Sequence, residues 1–362
     1  MRRGNGSILS GLYGRIDPTN LRLLLVLVPL VLVLGALEGD KLFGLAGLRS
    51  MAFQLPELGL LALAMMIPML SGGIDLSIIS TANLCALAMA YFVTVRLPFG
   101  HGAPGVLLLL GFALCSLVLA ALVGLANGVM VAYLRVPPML ATLGTMTAVK
   151  GILIGLSHGS VLTGFPAPIV FIGQGSLGKL PVVMLLFLAI VVPLSVFINR
   201  TPLGRAIAMI GSNERATQFS GIDTRRSLLW VYLLSALLAA VAGFVMMARF
   251  NSANAAYGES YLLVAILAAV LGGVNPLGGF GKVSGVILSL VILQILSTAS
   301  ILLGLSQFIT LAMWGAILLL ASGGIVFKEW LNNRTWPARP APGPALTVSG
   351  GPAAQTGRGE GA

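Results

Sequence analysis

The stretch that decides the fold is residues 105–133, GVLLLLGFALCSLVLAALVGLANGVMVAY, which contains no Asp, Glu, Lys or Arg. A helix needs about 20 apolar residues to cross roughly 30 Å of hydrocarbon, so this stretch can span a bilayer with some tilt. Across all 362 residues, 57% are hydrophobic and 9% are charged, and the mean hydropathy is +1.02. So little charge excludes a cytosolic enzyme, a secreted disulfide scaffold and a disordered regulator. The sequence predicts an all-α, polytopic transmembrane helical bundle.

Apolar runs bounded by charges or by Gly and Pro clusters predict about ten spans. They are 22–38, 53–70, 75–95, 105–133, 138–157, 181–198, 228–249, 261–273, 283–302 and 306–326. With the N-terminus inside, fifteen Lys and Arg lie on the inner side, five on the outer side and Lys150 within a span. This bias predicts that both termini are cytoplasmic. It also accounts for the net charge of +11 without a nucleic-acid partner.

Three connections between spans are long. Residues 199–227, which carry five arginines, lie on the predicted cytoplasmic side, and 158–180 and 250–260 lie on the outer side. The last thirty residues lack apolar periodicity, which is typical of disorder. The expected organisation is a cytoplasmic N-terminal tail (1–21), a transmembrane domain (22–326) and a largely disordered cytoplasmic C-terminal tail (327–362).

The segment SGGIDLS, Ser71 to Ser77, joins two predicted spans with almost no loop. Gly can end a helix in the left-handed conformation and Asp75 can cap the next helix, so a tight, satisfied turn is one interpretation. The other is a broken helix that lines a transport pathway, because a carboxylate near hydrocarbon is costly unless it is paired or hydrated. The motif is echoed in 271–275, LGGVN, which leaves an internal duplication open.

Within 199–227, the segment 211–213, GSN, can cap a short amphipathic helix from Glu214 to Ser220 that Gly221 ends. A helix at the membrane surface with flanking arginines is either a docking element for a soluble partner or an ordinary interfacial helix.

The glycine-rich segment 278–284, GGFGKVS, is not a P-loop, because Pro276 and Val283 stand where Gly and Ser or Thr are required. The chain is therefore expected to lack an ATPase of its own. Glycines here and in three G-x-x-x-G spacings are expected to allow close backbone approach. These spacings are Gly124/Gly128, Gly151/Gly155 and Gly281/Gly285.

No metal ligand set and no catalytic residue is visible in the pattern of His, Cys and carboxylates. Ionisable residues within spans are few, namely Asp75, Lys150 and Glu57, which disfavours transport driven by an ion gradient. Cys85 and Cys115 lie in apolar stretches and are expected to be buried free thiols.

Neutral polar side chains are the remaining candidates for a pathway lining. Amides and hydroxyls suit a neutral polyhydroxylated solute, but they also join helices to one another in membranes. The candidates are Asn83, Asn127, Thr142, Thr145, Thr147 and Gln294.

Four stretches, taken in order, resemble the ribose-type permease subunits of bacterial ABC importers, within the branched-chain/ribose permease superfamily. They are SGGIDLSIIS at 71–80, VPPMLATLGTM at 136–146, GSNERATQFSGI at 211–222 and AILAAVLGGVNPLGGFGKVSGVILSLVIL at 265–293. The similarity covers about 50–325. In two places the chain departs from the usual pattern: Ile78-Ile79-Ser80 replaces V-G-S and Pro138 replaces a small polar residue, so solute identity is less transferable.

The resemblance implies a chain in the bacterial inner membrane that pairs as a homodimer or with a paralogous permease. It implies a cytoplasmic ABC ATPase that uses ATP and Mg, a periplasmic solute-binding protein, and no cofactor on this chain. The implied ATPase-coupling loop contains Gly211, Asn213, Glu214, Ala216, Ser220, Gly221 and Ile222. The candidate pathway or helix-break residues are Gly72, Gly73, Asp75, Ser77, Asn83, Asn127, Thr142, Thr145, Gly272, Gly273, Asn275, Gly279 and Gly281.

The expected function is therefore the permease subunit of an ATP-driven importer for a monosaccharide or a related small polyhydroxylated solute. A stand-alone secondary transporter or facilitator of a small neutral solute is the alternative. An intramembrane enzyme would need catalytic residues that the sequence does not display. The sequence does not distinguish a pentose, a hexose, a polyol or a signalling furanone.

Overall fold

A computed structural model describes residues 17–94 and 106–332, which form thirteen helices and four two-residue strands. The helices are α1 (Pro18–Leu42), α2 (Leu45–Leu70), α3 (Ile78–Thr94), α4 (Val106–Ala132), α5 (Pro138–Ser157), α6 (Ala167–Gln174), α7 (Val182–Arg200), α8 (Pro202–Ser212), α9 (Glu214–Phe219), α10 (Thr224–Phe250), α11 (Glu259–Leu271), α12 (Val283–Leu302) and α13 (Gln307–Asn332). The strands are β1 (Leu162–Thr163), β2 (Ser176–Leu177), β3 (Leu180–Pro181) and β4 (Ser252–Ala253).

The helices confirm a polytopic helical membrane protein. Seven of them among the described residues, α1, α2, α4, α5, α7, α10 and α12, are long and apolar enough to cross a bilayer. Three predicted spans correspond to shorter apolar helices, namely α3, α11 and the part of α13 up to Ala321. At 1.5 Å per residue, the thirteen residues of α11 extend only about 20 Å, which is less than the roughly 30 Å thickness of the hydrocarbon core.

Two long helices, α2 and α10, form the centre of the bundle. Every residue of α2 from Gly59 to Leu70 is buried, and α10 packs against α2, α3 and α4. Gly243 of α10 lies so close to the backbone of Ala82 that a Cβ at this position would clash with the Ala82 carbonyl. Such close approach gives dispersion contacts, which stabilise helix pairs where lipid removes the hydrophobic effect between them.

Two of the three predicted G-x-x-x-G spacings permit close packing within the chain. A Cβ on Gly124 would lie 2.7 Å from the Tyr232 carbonyl oxygen of α10, and one on Gly128 would lie 3.0 Å from the Leu229 side chain. Gly281 and Gly285 are similarly covered by Val274 and Gly272. Gly151 and Gly155 of α5 face open space instead, with no described atom within 4 Å of a Cβ.

The connection 199–227 contains two helices, α8 and α9, where the sequence predicted one. Helix α9 matches the prediction closely: it spans Glu214–Phe219, Asn213 caps it, and Gly221 follows with φ +81°. Helix α8 was missed, although Thr201 followed by Pro202 is a start signal. The Thr201 hydroxyl accepts a hydrogen bond from Gly204 N at 3.1 Å, and the buried face of α8 includes Ile207 and Ile210.

The connections 158–180 and 250–260 are joined at the other end of the bundle. Strands β1 and β4 pair antiparallel, with Leu162 opposite Ala253 and Thr163 opposite Ser252. The backbone N–H of Phe165 also donates to Asn251 Oδ1 at 3.2 Å. Strands of two residues are too short to be recognised from periodicity, so the sequence predicted only loops here.

The segments that follow α2 and α11 break the helical path at the same end of the bundle. Gly72 (φ +83°) and Gly273 (φ +84°) each adopt the left-handed conformation just beyond a helix. The N–H groups of Gly73 and Val274 bond back to Pro68 O and Ala269 O, so both ends are Schellman motifs. This shared geometry accounts for the sequence similarity between 70–75 and 271–275. Beyond these residues the two backbones differ in conformation.

Two sequence expectations are corrected or left partly outside the described residues. Cys85 is buried as expected, but Cys115 is exposed on α4, so the prediction of a buried thiol was wrong there. Because apolar residues lie on every face of α4, the position of Cys115 alone does not indicate whether its thiol is buried. Helix α13 continues to Asn332, while 1–16 and 333–362, most of the two expected tails, lie outside the described residues.

Candidate functional site

The break between α2 and α3 places Asp75 inside the bundle, where it is 1% exposed. Its Oδ1 accepts from Ser77 N at 3.0 Å and from Ser77 Oγ at 2.6 Å, and its Oδ2 accepts from Ser235 Oγ at 2.9 Å. Ser235 is eleven residues into α10, roughly 16 Å along that helix. Asp75 makes no ion pair among the described residues, so hydroxyl and amide donors alone stabilise the carboxylate.

A chain of neutral side chains continues from Asp75 across α4 and α5. Asn127 Nδ2 donates to Ser77 Oγ at 2.8 Å, and Thr145 Oγ1 donates to Asn127 Oδ1 at 2.6 Å. Thr142 Oγ1 accepts from Leu76 N at 3.1 Å, which satisfies a backbone group that the helix break leaves free. The structure thus brings five sequence-predicted residues together, and Ser235 completes their cluster. The cluster is hereafter the Asp75 network: Asp75, Ser77, Asn127, Thr142, Thr145 and Ser235.

The second break, residues 272–282, packs against the first. Gly279 N donates to Leu70 O, the last carbonyl of α2, at 3.0 Å. Gly72 lies beside the Leu277 carbonyl, with 3.1 Å between that oxygen and a Cβ placed on Gly72. Asn275 closes its own turn by accepting from Leu277 N at 3.1 Å. The two broken segments therefore share one contact surface.

Gly211 at the end of α8 lies against both breaks. A Cβ on Gly211 would clash with the Leu70 carbonyl and would lie 2.5 Å from Gly279 N and 2.9 Å from Gly278 Cα. Asn213 Oδ1 then accepts from Ala216 N at 3.0 Å and fixes the start of α9. The end of α8 and the start of α9 therefore lie directly beside both chain breaks.

Helix α9 presents an unusual surface. Phe219 is 94% exposed, while Thr217 of the same helix is buried. Glu214 Oε1 accepts from Gln218 Nε2 and Thr224 Oγ1, and Ser220 Oγ donates to Ala216 O, so the helix is joined to α10 and closed at its end. Ile222 N bonds back to Thr217 O after the turn at Gly221.

The remaining polar candidates lie elsewhere. Asn83 Nδ2 donates to the carbonyls of Ala255 and Tyr257 at 3.0 and 2.9 Å and ties α3 to the connection after β4. Gln294 donates to Gln54 and Thr298, and exposed Thr147 bonds to its own helix. Asn83 and Gln294 thus join separate segments, Thr147 does not, and none of the three extends the Asp75 network.

Sequence reasoning missed several buried polar residues in apolar helices. Tyr232 is fully buried, and its hydroxyl has no hydrogen-bond partner among the described residues. Near the other end of the bundle, Arg249 Nε lies 3.1 Å from Glu57 Oε2, and Tyr261 donates to Glu57 Oε1 at 2.9 Å. Glu57 drew attention as a charge in a span, but its partners are about 200 positions away and no local pattern indicates them.

Comparison with known proteins identifies the class. Residues 47–322 match the family described as Branched-chain amino acid transport system / permease component. The chain is 32% identical to the autoinducer 2 import system permease protein LsrD of Photorhabdus temperata over 74% of this chain and 79% of that one. It is 31% identical to LsrD of Yersinia enterocolitica and 32% identical to LsrD of Escherichia coli K12, each over 76% of this chain and 85% of the relative. No solved structure gives a significant match.

The family match covers the central bundle, both helix breaks and α9, and the relatives are transport subunits rather than enzymes. Together with the apolar helices, this match identifies a multi-pass protein of the inner membrane. The chain belongs to the family of branched-chain amino acid and ribose-type permease components, and it is an ABC importer permease.

Proposed function

We propose that the chain imports a small, neutral, sugar-like solute of the autoinducer 2 class and that ATP hydrolysis in a separate subunit drives its passage. The observation that carries this proposal is the position of Gly211 against both helix breaks. A force that the ATPase subunit applies to α9 would pass through α8 to the chain breaks and so to the Asp75 network.

The basic end of the bundle, defined by Arg135, Arg215 and Arg225, is proposed to face the cytoplasm. The positive-inside bias supports this orientation, as it supports ten crossings and two cytoplasmic termini. Helix α9 then faces the ATPase, with Phe219 as an exposed aromatic anchor of the kind that dominates protein interfaces. ATP and Mg would be bound by that partner.

The opposite end is proposed to receive the periplasmic binding protein. Pairing of β1 with β4 joins the two outer connections into one surface. Asn254 adds a bridge by donating to Gly159 O at 3.2 Å. A joined surface presents a single docking face, whereas two separate loops would each lose conformational entropy on binding.

The solute is proposed to be neutral because the Asp75 network presents hydroxyls and amides. The single carboxylate already accepts three hydrogen bonds, and no cation pairs with it among the described residues. The LsrD relatives are named for import of autoinducer 2. Gly72, Gly73, Gly272, Gly273 and the Asp75 network are the proposed pathway residues.

A second permease, identical or paralogous, is proposed to cover α5. Gly151 and Gly155 leave an open strip on this helix, while the matching strip on α4 is filled by α10. Small residues at this spacing are typical of helix–helix contacts in membranes. A second copy on α5 would place two Asp75 networks on either side of a shared pathway.

Reconstitution of the chain into proteoliposomes with an ATPase and a binding protein encoded beside it tests the proposal. We expect uptake of autoinducer 2 or a monosaccharide only when all three components and ATP are present. Phe219→Ala should lower ATPase co-purification and uptake at least about tenfold, as for a buried aromatic anchor. Leu320→Ala, which truncates a 75% exposed apolar side chain on α13, is the control. Uptake down a gradient by the chain alone would favour the stand-alone facilitator instead.

A further inference from the structure

A cavity of about 450 Å³ opens at the basic end, and no residue of the Asp75 network lines it. Its walls come from the α2 break (Ser71, Gly72 and Gly73), the turn between α4 and α5, helix α9 and the first turns of α10. The volume lies within the range of small-molecule sites, roughly 300–1,000 Å³.

The charge of the walls is strongly positive. Arg135, Arg215 and Arg225 line the cavity, and Glu214 is the single acidic residue beside them. None of the three arginines forms an ion pair among the described residues, although Arg225 lies 5.7 Å from the ring centre of Tyr133. The Glu214 carboxylate is engaged with Gln218 and Thr224. Three guanidinium groups around one space match the oxygens of a phosphate group.

The inner wall contains a buried, unpaired hydroxyl group. Tyr232 is fully buried and lines the cavity, and its hydroxyl has no partner among the described residues. This hydroxyl lies beside Gly73, where it would be 2.7 Å from a Cβ. Because this hydroxyl has almost no accessible surface, a ligand in the cavity would be contacted by the arginines instead.

Arg135 occupies a backbone position that normally favours glycine. Its φ is +54°, and the Val136 N–H bonds back to Met130 O six residues earlier, so Arg135 is the left-handed residue of a wide turn that follows α4. A non-glycine residue at this position is uncommon. The structure keeps an arginine there nonetheless, at the mouth of the cavity.

We propose that this cavity binds a phosphate group, with Arg135, Arg215 and Arg225 contacting its oxygens. The ligand is a small phosphate ester from the cytoplasm or the head group of an anionic lipid. A phosphate held here bridges α9 to the α4–α5 turn and to α10. On the proposed function of α9 as the ATPase-coupling element, this bridge restrains coupling and lowers transport.

Binding is tested on the full chain in nanodiscs of neutral phosphatidylcholine, by calorimetric titration with glucose 6-phosphate and with uncharged glucose. We expect saturable binding of glucose 6-phosphate alone, weakened at least about tenfold by Arg135→Gln or Arg215→Gln. Arg226→Gln is the matched control, because Arg226 pairs with Asp223 at 3.0 Å and does not line the cavity. Equal binding of both sugars, absence of binding, or equal loss in the control would overturn the site.

Two further measurements identify the source and the role of the phosphate. If the natural occupant is a lipid head group, phosphatidylglycerol in the nanodiscs should compete for the site and weaken glucose 6-phosphate binding. If the natural occupant is the soluble ester, phosphatidylglycerol should leave that binding unchanged. In the reconstituted importer, glucose 6-phosphate on the ATPase side should lower uptake by the wild type but not by Arg135→Gln; unchanged wild-type uptake would overturn the restraint. Phosphate binding in a chain that supports no uptake would contradict the proposed function and leave the site intact.

Discussion

Asp75 is a carboxylate that the protein keeps buried by surrounding it with donors. Ser77 N, Ser77 Oγ and Ser235 Oγ all point at its two oxygens, and Asn127 continues the chain of hydrogen bonds. The SGGIDLS motif has two interpretations, a tight satisfied turn and a broken helix that lines a pathway, and the observed geometry is compatible with both. The turn is satisfied by hydrogen bonds, and it lies deep in the bundle rather than at its edge. A satisfied network of this kind rigidifies the break at which α3 begins.

Asp75→Ala should destabilise the protein markedly, because it strands the Ser77 and Ser235 donors in a dry environment. Each unsatisfied buried donor costs about 1–3 kcal/mol, so the loss should be at least about 2 kcal/mol. Thermal unfolding in detergent, followed by tryptophan fluorescence, measures it. Thr147→Ala removes an exposed hydroxyl that bonds only to its own helix, and it should change stability by less than about 0.5 kcal/mol. Equal melting temperatures for the two variants would contradict the role given to the network.

Glu57, which is buried, forms an ion pair with the mostly buried Arg249, so removing either residue leaves the other without its counter-charge. Glu57 is 2% exposed and Arg249 19%, so Arg249→Met leaves an unpaired carboxylate and should cost about 3–5 kcal/mol. The double variant Glu57→Gln/Arg249→Met should recover much of that loss, because the buried charge is gone and Tyr261 keeps an oxygen to donate to. Denaturation midpoints of the two single variants and the double variant measure the coupling. The exposed pair Lys150–Glu259 is the control, and Lys150→Gln should change stability by less than about 1 kcal/mol. Additive losses at Glu57 and Arg249 would show that the pair is not coupled.

At the level of elements, the predictable features are those with a local signal. Apolar length predicts the long helices, and the GSN cap with Gly221 predicts α9. The paired glycines predict both Schellman ends. The unpredicted features depend on distant contacts: β1 pairs with β4 across some 90 positions, and Ser235 and Tyr232 acquire their surroundings only when α10 packs against the α2 break. Their hydroxyl groups stand out in the apolar run of α10, but the local sequence does not indicate which distant segment each one meets.

Gly211→Val should uncouple α8 and α9 from the helix breaks. The added carbons would clash with the Leu70 carbonyl and crowd Gly279, and overpacking of this kind costs about 1–3 kcal/mol. Uptake should fall at least about tenfold while the amount of protein in the membrane stays near that of the wild type. Gly111→Ala, at a glycine with open space around it, controls for replacing a helical glycine. If the Gly211→Val variant took up solute at the wild-type rate, the close contact between Gly211 and the helix breaks would not be needed for coupling.

At the scale of the whole molecule, the described connections separate into two groups that match the predicted sides. The α2 and α11 breaks, the α4–α5 turn and α9 lie at the basic end, and the β1–β4 pair lies at the other. Packing alone does not orient these ends in a bilayer. The orientation is predicted from the distribution of Lys and Arg, because short loops rich in these residues stay in the cytoplasm when a membrane protein is inserted.

Cysteine labelling decides that orientation. In a chain with Cys85 and Cys115 replaced by Ala, Phe219→Cys should react with a membrane-impermeant maleimide only after the membrane is permeabilised, because Phe219 lies on the basic end. Lys179→Cys, in the connection before α7, should react in intact spheroplasts, because a single long helix separates the two positions. Reporter fusions at the two termini should both be cytoplasmic, since the ten proposed crossings would return the chain to its starting side. Reversed labelling would place α9 outside the cell, where no ATPase could reach it, and would contradict the coupling proposed for this helix.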